Sequence, residues 1–401
     1  MMTHDLIVIG GGLAGAAVAK VMAGQGSHVL LLERETKFKD RVRGEILMPW
    51  GVAEARSIGL YEILTNKCAN TIEGWSKYAE AGEFIDRRDL ASSNPHKTCA
   101  LGFSHPEMQS VMIQSAREAG ADVVQGANVT GLIPGEFPSV TYKQQGNELT
   151  ASARLLIGAD GRQSLTSKLG GFIRHKGNDR MLFAGLLLQG IDVDEKSSHF
   201  IVNAQLGQMI SIFPIGQNRF RTYVATNKHK TPKTLSGSKA IPDFINACYA
   251  SGVPRQWFTK IKAIGPLASF DATPNWVASA YKSNMVLVGD AAGVSDPTWG
   301  CGMSLALRDA RILSDQLTNT NDWDEGAQSY ADQRAEYFES IQRIESWMTD
   351  MFLALDDGTN DRRTRALPKI AADATRMPDI VGLGPESPSD EIARQRFYGE
   401  C

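Results

Sequence analysis

The chain is poor in the features that mark secreted, metal-built or membrane-embedded proteins. Its 401 residues include five cysteines, Cys68, Cys99, Cys248, Cys301 and Cys401, scattered and odd in number. They supply neither a disulfide framework nor a metal cluster, which suits a reducing cytoplasm. No His/Cys/Asp cluster stands out along the sequence, so no metal is expected. The longest interior apolar run, Met181 to Leu188, is far short of the roughly 20 residues that span a bilayer. The first apolar stretch has no basic segment before it and is broken by glycines, so a domain strand is expected there and not a signal peptide. A formal charge of -3 without a long basic stripe gives no footprint for nucleic acid. Internal repeats are absent.

What is present is the composition of a globular enzyme, 42% apolar and 22% charged. The length exceeds that of one hydrophobic core, so two domains are expected. Leu6-Ile7-Val8-Ile9 has the character of a short buried strand. Gly10-Gly11-Gly12-Leu13-Ala14-Gly15 turns from it into the small-residue run Ala16 to Ala19. A second apolar strand, His28 to Leu32, then delivers Glu33. This is the βαβ dinucleotide fingerprint in its full context. Gly10 permits the tight turn, Gly12 the close approach of a pyrophosphate, and Gly15 the packing of helix on sheet. Glu33 is placed to accept from ribose hydroxyls. No second Gly-x-Gly-x-x-Gly follows residue 15, which argues against a further dinucleotide domain of the same kind.

The remaining pattern predicts a charged loop over Glu35 to Arg43 and a helix from Pro49 to Leu60. Strands are expected over Thr71 to Tyr78 and Glu83 to Arg87. Pro106 to Ala119 has a helical stripe of Met108, Met112, Ala116 and Ala119, closed by Gly120. Leu155 to Ile157 predicts a buried strand ending in Gly158-Ala159-Asp160-Gly161. From Met181 to Val224 long β-forming runs follow, with Pro214 to Asn218 as a hairpin connection. Asn284 to Asp290 is a third buried strand with an acid at its carboxyl end, within the run Gly289-Asp290-Ala291-Ala292-Gly293. A long helix is expected over Trp323 to Asp356, and a surface-wrapping tail after Asp357.

Three separated motifs thus stand in order: Gly10 to Gly15 with Glu33, Gly158 to Gly161, and Gly289 to Gly293. This arrangement resembles the single-component FAD-dependent aromatic hydroxylases typified by para-hydroxybenzoate hydroxylase. They belong to a wider superfamily with flavin halogenases and geranylgeranyl reductases. The resemblance covers about 350 residues. It implies an α/β protein in which a Rossmann-like FAD-binding domain holds an inserted mixed or antiparallel sheet for substrate, followed by a long C-terminal helix. The implied boundaries are 1–75, 100–175 and 282–345 for FAD, 76–99 and 176–281 for substrate, and 346–401 for the helix end and tail.

The resemblance also implies roles. Asp290 would accept from a ribitol hydroxyl, with helix capping as the alternative. Pro297, Gly300, Gly302 and Met303 would line the isoalloxazine. Asp160 would orient Arg43 or an amide of the first loop, with an ordinary Asp-Gly turn as the alternative; Arg162 would offer charge near a phosphate or lie on the surface. Arg43 would contact the FAD phosphates, and Arg41 and Glu45 would form a surface pair. His105 would stand where the family has a cofactor-contacting residue, or would be a surface residue at the helix entry.

Arg221 resembles the family arginine near the flavin ring, with a solvent-facing strand position as the alternative. Together with Tyr223 and Pro297 it forms the expected catalytic set. Trp75, Tyr78 and Met209 are further pocket candidates. The implied reaction is hydroxylation of a small or medium aromatic, a phenol foremost, through a flavin C4a-hydroperoxide, using transient NADH or NADPH and dioxygen.

Other readings stay open. A halogenase would need a pocket lysine, and no Trp-x-Trp-x-Ile-Pro motif is present; Lys77 near Trp75 is the nearest candidate. Only that reading would involve a separate flavin reductase as partner. A prenyl reductase would need a long apolar tunnel, and a flavin-binding sensor would lack turnover.

Overall fold

The computed structural model describes residues 4–42, 44–230 and 233–401, so the expectation for Arg43 lies outside the described residues. The strand His4–Ile9 runs through the middle of a sheet, with Leu6 to Val8 fully buried. It pairs in parallel with Val29–Glu33 on one side and with Asn147–Gly158 on the other. Met285–Leu287 extends the sheet in parallel beyond Asn147–Gly158, and Asp122–Gln125 extends it beyond Val29–Glu33. His4–Ile9, Val29–Glu33, the inner end of Asn147–Gly158 and Met285–Leu287 are buried on both faces and so need uninterrupted apolar runs, which makes them conspicuous in the sequence, whereas the edge strand Asp122–Gln125 is only partly buried and carries no such run. Three helices pack on one another against this sheet: Leu13–Gly24, His105–Glu118 and Gly302–Thr318.

Asn147–Gly158 is far longer than Leu155 to Ile157. Its outer half forms an antiparallel meander with Ser139–Gln144, which in turn pairs with Asn128–Ile133. That half carries exposed polar residues from Asn147 to Thr150, so no apolar run announces it.

A second, mixed sheet is ordered Lys262–Ala263, Met181–Gln189, Arg219–Asn227, Gln208–Pro214, Ser197–Asn203, Gly74–Tyr78 and Phe84–Asp89. Ser197–Asn203 and Gly74–Tyr78 are parallel and the other neighbours antiparallel. The expected hairpin turns at Gln217 and Asn218, with φ of 61° and 55°. Two successive left-handed residues match the strand twist, and asparagine tolerates that region better than most. One outer face carries Ile210, Ile212, Phe220 and Val224 and packs on the helix Ile241–Ala250.

Two expectations need correction. Thr71 to Tyr78 is not one strand: Ala69–Ile72 joins a small sheet with Ala100–Phe103 and Ile46–Leu47, and Gly74–Tyr78 enters the large mixed sheet. Nor does the tail merely wrap the surface. Thr359–Ala372 is helical, Phe397 is fully buried, and Trp50 donates Nε1–H to the Ile380 carbonyl at 3.1 Å. The long helix Trp323–Phe352 fills the space between, burying Tyr330, Ile341 and Ile344 completely. Among the described residues no helix is long and apolar enough to cross a membrane.

Candidate cofactor and substrate site

The glycines of the first loop are demanded by different neighbours. A Cβ on Gly15 would stand 2.0 Å from the Gly10 carbonyl oxygen, and one on Gly10 2.4 Å from the Ala159 oxygen. Gly10 also has φ of +105°. Those two are fixed by the fold itself. Gly12 is different: a Cβ there meets nothing within 4 Å, and its extended backbone (φ -70°, ψ -175°) suits any residue. Open space at the mouth of a helix N-terminus is what an anionic group resting on the loop requires. Glu33 is buried at the end of its strand, where Oε2 accepts from the Gly11 N–H at 2.7 Å and Oε1 from the Glu35 N–H at 2.7 Å. The carboxylate thus holds the glycine loop against the second strand.

Opposite, the turn after Met285–Leu287 is held by a residue that the sequence did not single out. Asp309, fully buried on the helix Gly302–Thr318, accepts from the Gly289 N–H at 2.7 Å through Oδ2. The same oxygen accepts from Arg334 Nε at 3.0 Å, and Tyr337 donates its hydroxyl to Oδ1. Burial among these charges drives the Tyr337 hydroxyl well above its usual value, so it stays a donor. Asp290 directly follows the clamped glycine. Asp160 turns away from the first loop: Oδ1 accepts from Ser164 Oγ at 2.5 Å, and Oδ2 accepts from Thr166 N at 2.9 Å and Thr166 Oγ1 at 3.1 Å. These bonds cap the turn entering the short helix Leu165–Leu169. Arg162 donates to the Thr273 carbonyl at 3.0 Å.

The segment 44–48 faces the loop 297–304. His105 Nδ1 lies 3.2 Å from the Gly44 carbonyl oxygen. Met48 N–H donates to Ser304 Oγ at 3.1 Å, and a Cβ on Gly44 would touch Met303 at 3.4 Å. Gly300 has φ of +73° and stands against Met48, so any side chain there meets both strain and a clash. Gly302, at the first turn of its helix, is open like Gly12, with nothing within 4 Å of a Cβ. Pro297 begins the loop after Asp296, whose Oδ1 accepts from the Thr298 N–H at 2.9 Å. Beneath, Glu345 accepts from the Asp296 N–H at 2.8 Å. Burial raises both carboxyls, Glu345 the further, with the neighbouring Asp296 charge adding to its rise.

The mixed sheet turns a polar cluster and a band of rings toward this region. Arg221 is buried, not solvent-facing. Its Nε donates to Glu45 Oε1 at 3.0 Å and its Nη2 to Asp40 Oδ1 at 2.6 Å. Tyr223, two residues on and so on the same strand face, donates its hydroxyl to Glu45 Oε2. Glu45 is thus not the surface partner of Arg41, which pairs with Glu35 instead. Desolvation raises the Glu45 carboxyl to about 7 against the pull of Arg221 and the Tyr223 hydrogen bond, with Asp40 pushing it further up. Arg221 stays cationic because two carboxylates flank it. Arg221 Nη1 and Asp40 Oδ2 are buried without a partner among the described residues.

Beside the cluster, Trp75 stacks on Phe200 at 4.1 Å, and Phe213 and Phe183 stand edge-on to Tyr223 at 6.2 and 5.9 Å. Met209 belongs to the same buried group. Tyr78 does not: three residues after Trp75, it falls on the opposite face, 4.9 Å from Trp257.

The sequence of the FAD binding domain family matches residues 3–343 of this chain. The chain belongs to that family of flavin oxidoreductases. The chain is 27% identical over 337 residues to squalene monooxygenase SE1 of Panax ginseng, a match that covers 79% of the chain and 59% of that relative. It therefore spans under two thirds of the length of that enzyme. It is also 27% identical over 341 residues to digeranylgeranylglycerophospholipid reductase 1 of Methanococcoides burtonii, covering 78% and 74%. The fold is shared with p-nitrophenol 4-monooxygenase PnpA of Pseudomonas putida, at a TM-score of 0.76 and 16% identity, covering 92% of this chain and 93% of that one.

FAD fits the residues present. Two glycines of these motifs with open Cβ directions, Gly12 and Gly302, lie at helix N-termini, where unpaired amides suit a pyrophosphate and a flavin pyrimidine oxygen.

Proposed function

We propose that this FAD-binding protein is a monooxygenase acting on a small or medium aromatic metabolite, a phenol foremost, with NADH or NADPH as reductant. Gly10, Gly12, Gly15 and Glu33 would hold the adenosine and pyrophosphate, Asp290 the ribitol, and Pro297, Gly300, Gly302 and Met303 the ring; Arg43 is proposed as a phosphate contact. In this reading Asp160 acts on FAD only through the turn it caps. Bound and reduced, FAD supplies the reaction with dioxygen.

The residues of the chain supply the rest. The rings of Trp75, Phe200, Phe213, Tyr223 and Phe183 offer an aromatic substrate stacking faces and exclude water. Tyr223 and Glu45 form a buried proton path whose acceptor, raised to about 7, sits near the pH at which it works best as a general base. Arg221 orients Glu45 and offsets its charge.

The observation that carries this reading is the pairing of that aromatic band with the Arg221–Glu45–Tyr223 cluster on one sheet face. A second reading, oxygen transfer to or reduction of an isoprenoid alkene, is favoured by the named squalene monooxygenase and prenyl-lipid reductase relatives. The test is a panel of phenols, indoles and isoprenoid alkenes incubated with the FAD-loaded protein, NADH or NADPH, oxygen and halide salts. Mass analysis of a phenol gaining one oxygen supports the proposal. Oxygen gain confined to isoprenoids, saturation of a double bond, or halogenation rejects it.

A further inference from the structure

At the opposite end of the parallel sheet from the glycine loop, three adjacent strands begin with potential metal ligands. His4 opens His4–Ile9, His28 directly precedes Val29–Glu33, and Asp122 opens Asp122–Gln125, and these three strands are neighbours in the sheet. Register brings the side chains together. His28 Nε2 lies 3.0 Å from Asp122 Oδ2, His4 Nε2 lies 4.0 Å from the same oxygen, and one donor atom from each residue lies within 4.8 Å of the others.

The two imidazoles stand 4.3 Å apart between ring centres. Asp5 fixes the start of the second strand by accepting from the His28 N–H at 2.8 Å. The sequence pattern does not single out this cluster, because its residues are separated by 24 and 94 positions and only the sheet order unites them.

We propose that His4, His28 and Asp122 form a surface site for a borderline divalent cation of the zinc class. Two imidazole nitrogens and a carboxylate oxygen are the donor set such ions prefer, with a fourth position left to water. Ligand atoms around a tetrahedral zinc lie roughly 3.3 Å apart at bond lengths of about 2.0–2.1 Å, so shifts of under about an ångström, taken up mainly by the exposed His28 and Asp122 side chains, complete the geometry.

Two facing histidines repel one another when protonated. Charges facing the pair are Asp5 and Asp122, both favourable to a cation. The site is distant from the flavin region: the strand His4–Ile9 separates it from the glycine loop. Its consequence is mechanical. A bound ion clamps three strand starts, and because the unfolded chain does not assemble these ligands, binding favours the folded state.

The test uses the whole 401-residue chain, FAD-loaded and chelator-treated, titrated with zinc chloride by calorimetry and followed by thermal unfolding. The expected result is saturable binding of one zinc per chain with a rise in melting temperature reversed by chelator. His28→Ala and Asp122→Asn alter side chains that are 57% and 61% exposed, so both variants should fold and retain FAD. Each should lose at least about tenfold in zinc affinity, in line with removal of one ligand. Zinc binding undiminished in both variants, as from the cysteines, or no saturable binding to the wild type, would overturn the proposal.

Discussion

Tyr223 gives its hydroxyl hydrogen bond to Glu45, joining the mixed sheet to the segment that follows the second strand of the nucleotide sheet. Arg221 binds the other oxygen of the same carboxyl, so one buried acid is held by two residues of a single strand face.

This arrangement gives stability a defined pH dependence. The Glu45 carboxyl is raised in the folded state to about 7, above its unfolded value near 4.5, so between these limits the folded chain binds the extra proton. The Glu45 contribution is then complete below about 4.5 and is lost as pH rises toward 7. Glu45→Gln removes the titration. The prediction is that the wild-type melting temperature declines more steeply from pH 5 to pH 7 than that of Glu45→Gln. Parallel profiles would show that Glu45 is ionised throughout.

The open glycine and the crowded one should fail differently. Gly15→Ala drives a Cβ into the Gly10 carbonyl, so it should cost about 1–3 kcal/mol of stability even without flavin. Gly12→Ala meets no protein atom and should leave the flavin-free melting temperature unchanged. It should still weaken FAD by tenfold or more in a fluorescence titration, about 1.4 kcal/mol, because the methyl occupies the approach of the pyrophosphate. Wild-type FAD affinity in Gly12→Ala would place the cofactor elsewhere.

Asp309 is the residue on which the Gly289 turn depends. Asp309→Ala leaves Arg334 buried without its carboxylate and frees the Gly289 amide, an expected loss of about 3–5 kcal/mol in urea unfolding. Asp309→Asn keeps an acceptor for one donor and should fall between the two. A loss under about 1 kcal/mol in the alanine variant would show that other groups hold the turn.

These residues also show what a sequence can disclose. Four of the five parallel strands and Gly10 to Gly15 were legible because burial on both faces imposes apolar runs and a tight turn imposes glycine; the fifth, Asp122–Gln125, is a partly buried edge strand with no such run. Asp309 and Glu45 were not legible as anchors, since their partners lie 20 and about 180 positions away and nothing local distinguishes a buried acid from a surface one. Asp160 shows the converse: a motif that pointed outward to the cofactor is satisfied within six residues of itself. The polar outer half of Asn147–Gly158 and the charged helix Thr359–Ala372 escaped because their stability comes from partners, not from their own pattern.

The two substrate readings separate at Phe183, which stands 5.9 Å from Tyr223 and 5.3 Å from Phe270. An isoprenoid needs only apolar surface at this position, which leucine supplies nearly as well. An aromatic substrate also needs a ring face, and aromatic pairs contribute about 0.5–1.5 kcal/mol beyond their buried area. Phe183→Leu should therefore raise KM for a phenolic substrate by roughly 2- to 12-fold, that interval converted at 1.4 kcal/mol per tenfold. Nicotinamide oxidation should meanwhile become less coupled to product, as a loosely seated ring meets oxygen chemistry without capturing it. Steady-state kinetics with product quantified by mass spectrometry measures both. If the variant keeps its KM and its coupling on phenols, the aromatic band is packing alone and the isoprenoid reading gains.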